Sequence, residues 1–208
     1  MNARVQSSTD LRRRKADIRA ELLERRRAIP PDHHAASSAR ICRWVVEELR
    51  PYRTAGTVHT YLGMIAGEVA TTPLLAHAWA AGKRVVCPRI GPGGVLESRE
   101  VRSMEDFVDG PMGLREPDPG CAPLVETEAI DLVIVPGIGF DREGHRIGFG
   151  AGYYDRFLAT TGAARVALAF SLQVIDRIPH GPEDQPVDWI VTQTEVIDCN
   201  AERRHPEP

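Results

Sequence analysis

Arg146, Gly148, Gly150, Gly152 and Asp155 fall within the ten-residue run Arg-Ile-Gly-Phe-Gly-Ala-Gly-Tyr-Tyr-Asp. A fixed guanidinium beside glycines, whose amides carry no Cβ cover, is chemistry for an oxyanion, and phosphate is the guest that fits. Neither common phosphate signature applies. GxxxxGK[ST] is absent, and the three glycines give GxGxG in place of GxGxxG. The pattern turns helical near Tyr153, which brings the positive end of a helix to the loop. Asp155 does not attract an anion. It either holds Mg2+ against phosphates or is an ordinary first-turn aspartate favoured by the helix dipole. Of the adjacent Tyr153 and Tyr154, one faces the core with Phe157 or Leu158 and the other borders the ligand. Two rings also suit a planar, stacking substrate.

Positioning these groups requires a scaffold, and the hydrophobic pattern supplies one. Apolar runs at 131–135, 165–170 and 188–192 read as buried strands, alternating with a helix over 153–161. Earlier strands are expected at 57–61, 83–88 and 95–101, with a helix over 73–81. Residues 11–29 form an amphipathic helix on which Leu11, Ile18, Leu22 and Ile29 share a face, followed by a second helix over 32–49 that Pro51 stops. Lys15 borders the apolar stripe and Arg19 lies one turn on. Arg12 and Arg26 are close enough that the wheel alone does not choose among them. The segment 104–128, rich in Pro, Gly and acids, reads as a long surface loop. The fold class is α/β: a single three-layer domain over 11–198, with a mostly parallel central sheet covered by helices on both faces. Residues 1–10 are expected as a disordered tail and 199–208 as a C-terminal tail.

Composition narrows the function classes. The 208 residues are 42% hydrophobic, and 26 basic against 29 acidic residues give a net charge of −3. That balance carries no pull towards nucleic acid or an anionic membrane. The basic cluster Arg12, Arg13, Arg14, Lys15 and Arg25 to Arg27 is spread around its helix without interleaved aromatics, as on a solvated face. With no signal-peptide or membrane-spanning pattern, a cytoplasmic location is expected. A monomer is expected as well. Cys42, Cys87, Cys121 and Cys199 lack CxxC spacing and read as reduced thiols, and the adjacent His33 and His34 read as solvated.

The segment VPGIGFDREGHRIGFGAGYYDRFL, spanning 135–158, closely resembles the signature of the 5-formyltetrahydrofolate cyclo-ligase (5,10-methenyltetrahydrofolate synthetase) family. Lys15-Ala-Asp-Ile-Arg19 resembles the family's amino-terminal Lys and Arg that contact ATP. YLGMIAGEVATTPLL resembles its loop and helix whose glutamate, here Glu68, contacts folate. GKRVVCPRI, GLREP and PEDQPVDWIVT resemble three further segments, so the likeness runs in family order over most of 11–195. Four departures stand out. The stretch between Tyr61 and Glu68 is one residue longer, which leaves Leu62, Gly63 and Met64 as alternatives for an apolar substrate contact. Phe149 and Ala151 stand where some members carry basic side chains. Glu183-Asp184 replaces a common His-Asp pair, and Ala70 replaces a frequent acid.

The resemblance implies an ATP- and Mg2+-dependent cyclo-ligase that closes 5-formyltetrahydrofolate to 5,10-methenyltetrahydrofolate, releasing ADP and phosphate. It implies ATP contacts from Lys15, Arg19, Arg146, Gly148, Phe149, Gly150, Ala151, Gly152, Tyr153 and Tyr154. Leu62, Glu68, Phe149 and Tyr153 would meet the folate, Arg146 and Tyr153 would serve catalysis, and Asp155 and Asp184 would hold Mg2+. Two alternatives keep the same residues: a paralogue acting on another formamide or carboxyl-like group, and a non-catalytic folate or nucleotide binder. The absence of a Ser/His/Asp or Cys/His arrangement fits a reaction without a covalent enzyme intermediate.

Overall fold

A computed structural model describes residues 2–63, 67–110 and 113–204, with side chains described from residue 9 and not at 202 or 204. Seven strands form the central sheet. They are β1 (Thr57–His59), β2 (Arg84–Ile90), β3 (Leu96–Glu100), β6 (Leu132–Val135), β9 (Ala164–Leu168), β11 (Trp189–Val191) and β12 (Val196–Asp198), in the order β12-β11-β9-β6-β1-β2-β3. β11, β9, β6, β1 and β2 run parallel, and antiparallel β12 and β3 close the two edges. The expected mostly parallel sheet is therefore present.

β6 shows why a continuous apolar run becomes a central strand. Alternate side chains leave opposite faces of a strand, so Leu132 and Ile134 enter one core while Val133 and Val135 enter another. The first core is covered by α2 (Pro31–Glu48) through Ile41 and Val45, by α3 (Arg50–Thr54) through Tyr52, and by α4 (Thr72–Ala80) through Leu74. The second holds Phe157 and Leu158 of α5 (Tyr153–Leu158), together with Cys199 of α6 (Cys199–Arg204). Asp131 joins β1 to β6 at their starts, accepting 2.8 Å hydrogen bonds from the amides of Gly56 and Thr57.

Two smaller sheets lie in segments read as loops. β4 (Phe107–Asp109) and β5 (Arg115–Pro117) form a hairpin inside 104–128, with only three pairs in register. β7 (Gly139–Asp141), β8 (Arg146–Ile147) and β10 (Val174–Ile175) form a three-stranded sheet, so the glycine-dense stretch after β6 is a hairpin before it is a loop. Strands of two or three residues are too short to show a period in sequence. Two further boundaries differ for local reasons. Pro51 starts the short helix α3 instead of ending order, because proline is tolerated in a first turn. The expected tails are also helical. α1 spans Asn2–Arg27, since no Gly or Pro interrupts 2–10, and α6 is anchored by fully buried Cys199. Residues 205–208 lie outside those described.

After β1 the chain builds outward through β2 and β3, then returns to pair β6 on the other side of β1. The crevice beyond the carboxyl ends of β1 and β6 is thus the switch point where open α/β sheets bind ligands. α1 lies across its mouth. The fully buried Leu22 packs so closely on the hairpin that a Cβ on Gly139 would sit 2.2 Å from its Cδ1.

His59, at the end of β1, has no solvent exposure, and neither ring nitrogen has a hydrogen-bond partner among the described residues. Burial lowers its imidazole from 6.5 to about 3. Between those values the unfolded chain binds a proton that the folded chain excludes, so stability falls as pH drops below 6.5, by at most about 1.4 kcal/mol per unit. Denaturant titrations between pH 7.5 and 5 should show a shallower loss for His59→Leu than for the wild type. Equal slopes would rule out this burial as a source of acid sensitivity.

Candidate functional site

The switch-point crevice opens into a cleft of about 1000 Å3. Every residue expected at the site lines it: Lys15 and Arg19 from α1, Leu62 and Glu68 from the loop after β1, Arg146 from β8, the loop 148–152, Tyr153, Tyr154 and Asp155 from α5, and Asp184. Gly63 is not among the lining residues and Met64 lies outside those described.

Arg146 is the most enclosed of the cations lining the cleft. Its side chain is 5% exposed, and its guanidinium donates to Asp155 Oδ1 at 2.9 and 3.1 Å and to the Gln185 carbonyl at 3.3 Å. The Gln185 amide donates back to Asp155 Oδ1 at 3.1 Å. Burial pulls the Arg146 pKa down while Asp155, Tyr154 and Asp184 oppose that shift, and an arginine remains charged throughout. Arg146 Nε is buried without a partner among the described residues.

α1 contributes two further cations by its helical spacing of four. Arg19 Nε donates to the Gly148 carbonyl at 2.8 Å, and Lys15 Nζ lies 2.5 Å from Asp184 Oδ2. Asp184 also accepts from the Gly181 amide at 2.6 Å. Burial disfavours its carboxylate, but the Lys15 and Gly181 hydrogen bonds and the charges of Lys15 and Arg146 outweigh that, leaving it below its ordinary value.

The loop between these charges needs glycine at two points, since Gly150 and Gly152 have φ of +99° and +69°. Arg19 reaches within 3.4 Å of where a Gly150 Cβ would sit, and the Gly148 and Ala151 carbonyls are held by Arg19 and Arg156. Among the described residues, the amides of 149–152 donate to no protein acceptor. They are free for an oxyanion. The helix dipole adds little, because α5 spans only six residues and not the expected nine.

The tyrosines divide as expected. Tyr154 packs edge-on to His59 and Phe157, whereas Tyr153 carries the Arg156 guanidinium 5.3 Å over its ring. Tyr154 Oη is buried with no partner among the described residues, and burial, with Cys87 and Glu68 adding, raises its pKa. Phe149 is 50% exposed on the cleft rim.

Glu68 is held from several sides. His34 Nε2 lies 2.6 Å from the Glu68 carbonyl, so His34 is half-buried here and not solvated, while His33 is exposed. The Ala70 amide donates to Ser38 Oγ at 3.1 Å, and the Thr71 hydroxyl donates to the Tyr61 carbonyl at 2.6 Å. Arg26, 1% exposed, packs against Gly67, and burial lowers its pKa while Glu68 opposes the shift. On the wheel Arg26 was indistinguishable from its neighbours. Its burial follows from Gly67, whose φ of +80° and missing side chain let the loop approach α1. The cleft walls also include Ile90, Leu96, Phe107, Leu114 and Arg115 from β2, β3 and the hairpin region. Phe107, Leu114 and Arg115 were missed because 104–128 reads as a surface loop, and nothing in the sequence ties Ile90 or Leu96 to the cleft.

The donor set suits Mg2+ bound together with phosphate. No cluster of three His, Cys, Asp or Glu among the described residues forms a protein-only site. Mg2+ characteristically takes one or two carboxylates and leaves its other positions to water and phosphate oxygens. The hydrogen bonds to Asp155 and Asp184 fall on Oδ1 and Oδ2 respectively, leaving one oxygen of each carboxylate without a hydrogen bond among the described residues.

Residues 12–193 match the model of the 5-formyltetrahydrofolate cyclo-ligase family. The 5-formyltetrahydrofolate cyclo-ligase of Escherichia coli is 29% identical over 178 residues, covering 83% of this chain and 97% of the relative. That of Mycolicibacterium smegmatis is 30% identical over 188 residues, covering 86% and 94%. The solution structure of Aquifex aeolicus 5,10-methenyltetrahydrofolate synthetase superposes with a TM-score of 0.79 at 31% identity, over 89% of this chain and 92% of that one. With a matched segment spanning nearly the whole α/β domain, the chain belongs to the 5-formyltetrahydrofolate cyclo-ligase family.

Proposed function

We propose that this enzyme converts 5-formyltetrahydrofolate to 5,10-methenyltetrahydrofolate at the expense of ATP, and that the residues lining the switch-point cleft carry the reaction. The observation that carries this reading is the convergence of Lys15, Arg19, Arg146 and the open amides of 149–152 with Glu68 and two aromatic rings in one cleft.

The chemistry explains why such a site needs no nucleophilic side chain. A formamide oxygen is a poor leaving group. It attacks the terminal phosphorus of ATP, ADP departs, and an imidate-like phosphate forms. The anilinic nitrogen of the folate then attacks the formyl carbon, its proton passes to solvent or phosphate, and cleavage of the carbon–oxygen bond releases phosphate and leaves the methenyl bridge. Catalysis rests on positioning and charge stabilisation. Lys15, Arg19 and Arg146 neutralise the phosphates, and the amides around Gly148, Gly150 and Gly152 cradle them. The unpartnered donors Arg146 Nε and Tyr154 Oη suit ligand oxygens, since buried donors are rarely left unpaired. Asp155 and Asp184 would hold Mg2+, which supplies positive charge to the phosphates when bound. Glu68 accepts hydrogen bonds from the pterin, and Tyr153, Phe149 and Leu62 flank the folate.

Adding ATP and 5-formyltetrahydrofolate should produce the absorbance of methenyltetrahydrofolate, and its absence with folded protein would refute the assignment. Arg146→Ala should lower kcat/KM by about 2–4 kcal/mol, the scale of a lost transition-state donor. Unchanged turnover would remove Arg146 from the site. Glu68→Gln should raise the KM for the folate about tenfold or more, as a charge-assisted hydrogen bond contributes about 1.5–3 kcal/mol, with little change in the KM for ATP. An effect on ATP alone would place Glu68 elsewhere.

A further inference from the structure

Resting on the reading that this cleft binds Mg2+ and ATP, we propose that the two ligands enter by exchanging ion-pair partners within the protein, which makes each a poor ligand without the other. Both carboxylates suited to the metal are closed on cations suited to the phosphates. Lys15 lies 2.5 Å from Asp184, with side chains 18% and 22% exposed, and Arg146 lies 2.9 Å from Asp155, at 5% and 27%. Arg19 differs. Its Nε donates to the neutral Gly148 carbonyl, so its recruitment strands no charge.

Metal-free ATP draws Lys15 and Arg146 towards its phosphates and leaves Asp184 and Asp155 facing more negative charge. In a partly enclosed cleft that repulsion exceeds its value in water. Mg2+ alone meets the reverse difficulty, because the open oxygen of each carboxylate lies beside a cation, and Lys15 and Arg146 repel the dication until phosphates draw them away. Arriving together, the phosphates take the cations and the carboxylates take the metal, so every charge keeps an opposite partner. The coupling is reciprocal: the factor by which Mg2+ tightens ATP at this site equals the factor by which ATP tightens Mg2+.

Glu183 separates partner exchange from a general effect of negative charge. It lines the same cleft, is exposed, and forms no ion pair among the described residues. Titration calorimetry with ATP in EDTA should show Asp184→Asn binding the metal-free nucleotide at least about fivefold more tightly than wild type, the lower end of typical coupling factors. Glu183→Gln should gain much less. Asp155→Asn, which releases Arg146, should move in the same direction as Asp184→Asn and provides a second variant. Equal metal-free affinity in wild type and both Asn variants, or equal gains in Asp184→Asn and Glu183→Gln, would overturn the exchange. If wild type binds ATP with Mg2+ while these comparisons fail, only the exchange is refuted. If wild type binds no ATP with or without Mg2+, the ATP reading falls and the exchange with it.

Discussion

The pairing of the buried Arg146 with the half-buried Asp155 is the constraint on which the site depends. It ties the last strand of the glycine hairpin to the first turn of α5, and through Gln185 it adds the loop that carries Asp184. Three chain segments therefore meet at one guanidinium. Burying such a pair has a desolvation cost that its attraction offsets only when the remaining donors and acceptors are also satisfied. Here Gln185 supplies part of that satisfaction and Arg146 Nε stays open, leaving one direction in which the charge can serve a ligand.

Around that centre the fold assembles elements that are remote in sequence. The parallel sheet places the ends of β1 and β6 side by side and opens the crevice between them. α1 closes it from above, since Leu22 can settle against Gly139 and Arg26 against Gly67 only where those positions lack a side chain. Lys15 and Arg19 then reach Asp184 and Gly148 from more than a hundred residues away. The loop carrying Glu68 is fixed separately, through His34, Ser38 and Thr71. The result is a cleft in which Lys15 and Arg146 are already paired with Asp184 and Asp155 before a ligand arrives.

Long periodic features were legible in the sequence because their signal repeats. Leu132 to Val135 announces a strand buried on both faces, and Ile41, Trp44 and Val45 announce a helix face. Short strands outside those apolar or β-branched runs were not legible, although β1 and β11, of three residues each, were read. β4, β5, β8 and β10 are held by tertiary pairing, and α5 stops three residues short of the span its pattern suggested. Arg26 and His34 show the same limit among side chains. Arg26 read as one of several cations the wheel could not tell apart and His34 as solvated, yet one is fully buried and the other holds a loop carbonyl, because the partner in each case is the 67–68 turn across the fold.

By itself the sequence determined the α/β class and, through motif order, the family, and it marked Arg146 with Gly148, Gly150 and Gly152 as the group suited to an oxyanion. Each depends on local spacing or on composition, which the chain carries without folding. Only the tertiary structure decided which carboxylate faces which cation, which tyrosine packs inward, and that Phe107 of β4 and Arg115 and Glu116 of β5 line a wall of the cleft. Those outcomes depend on distances between residues far apart in the chain, and such distances exist only once the sheet order and the close approaches at Gly67 and Gly139 have been set.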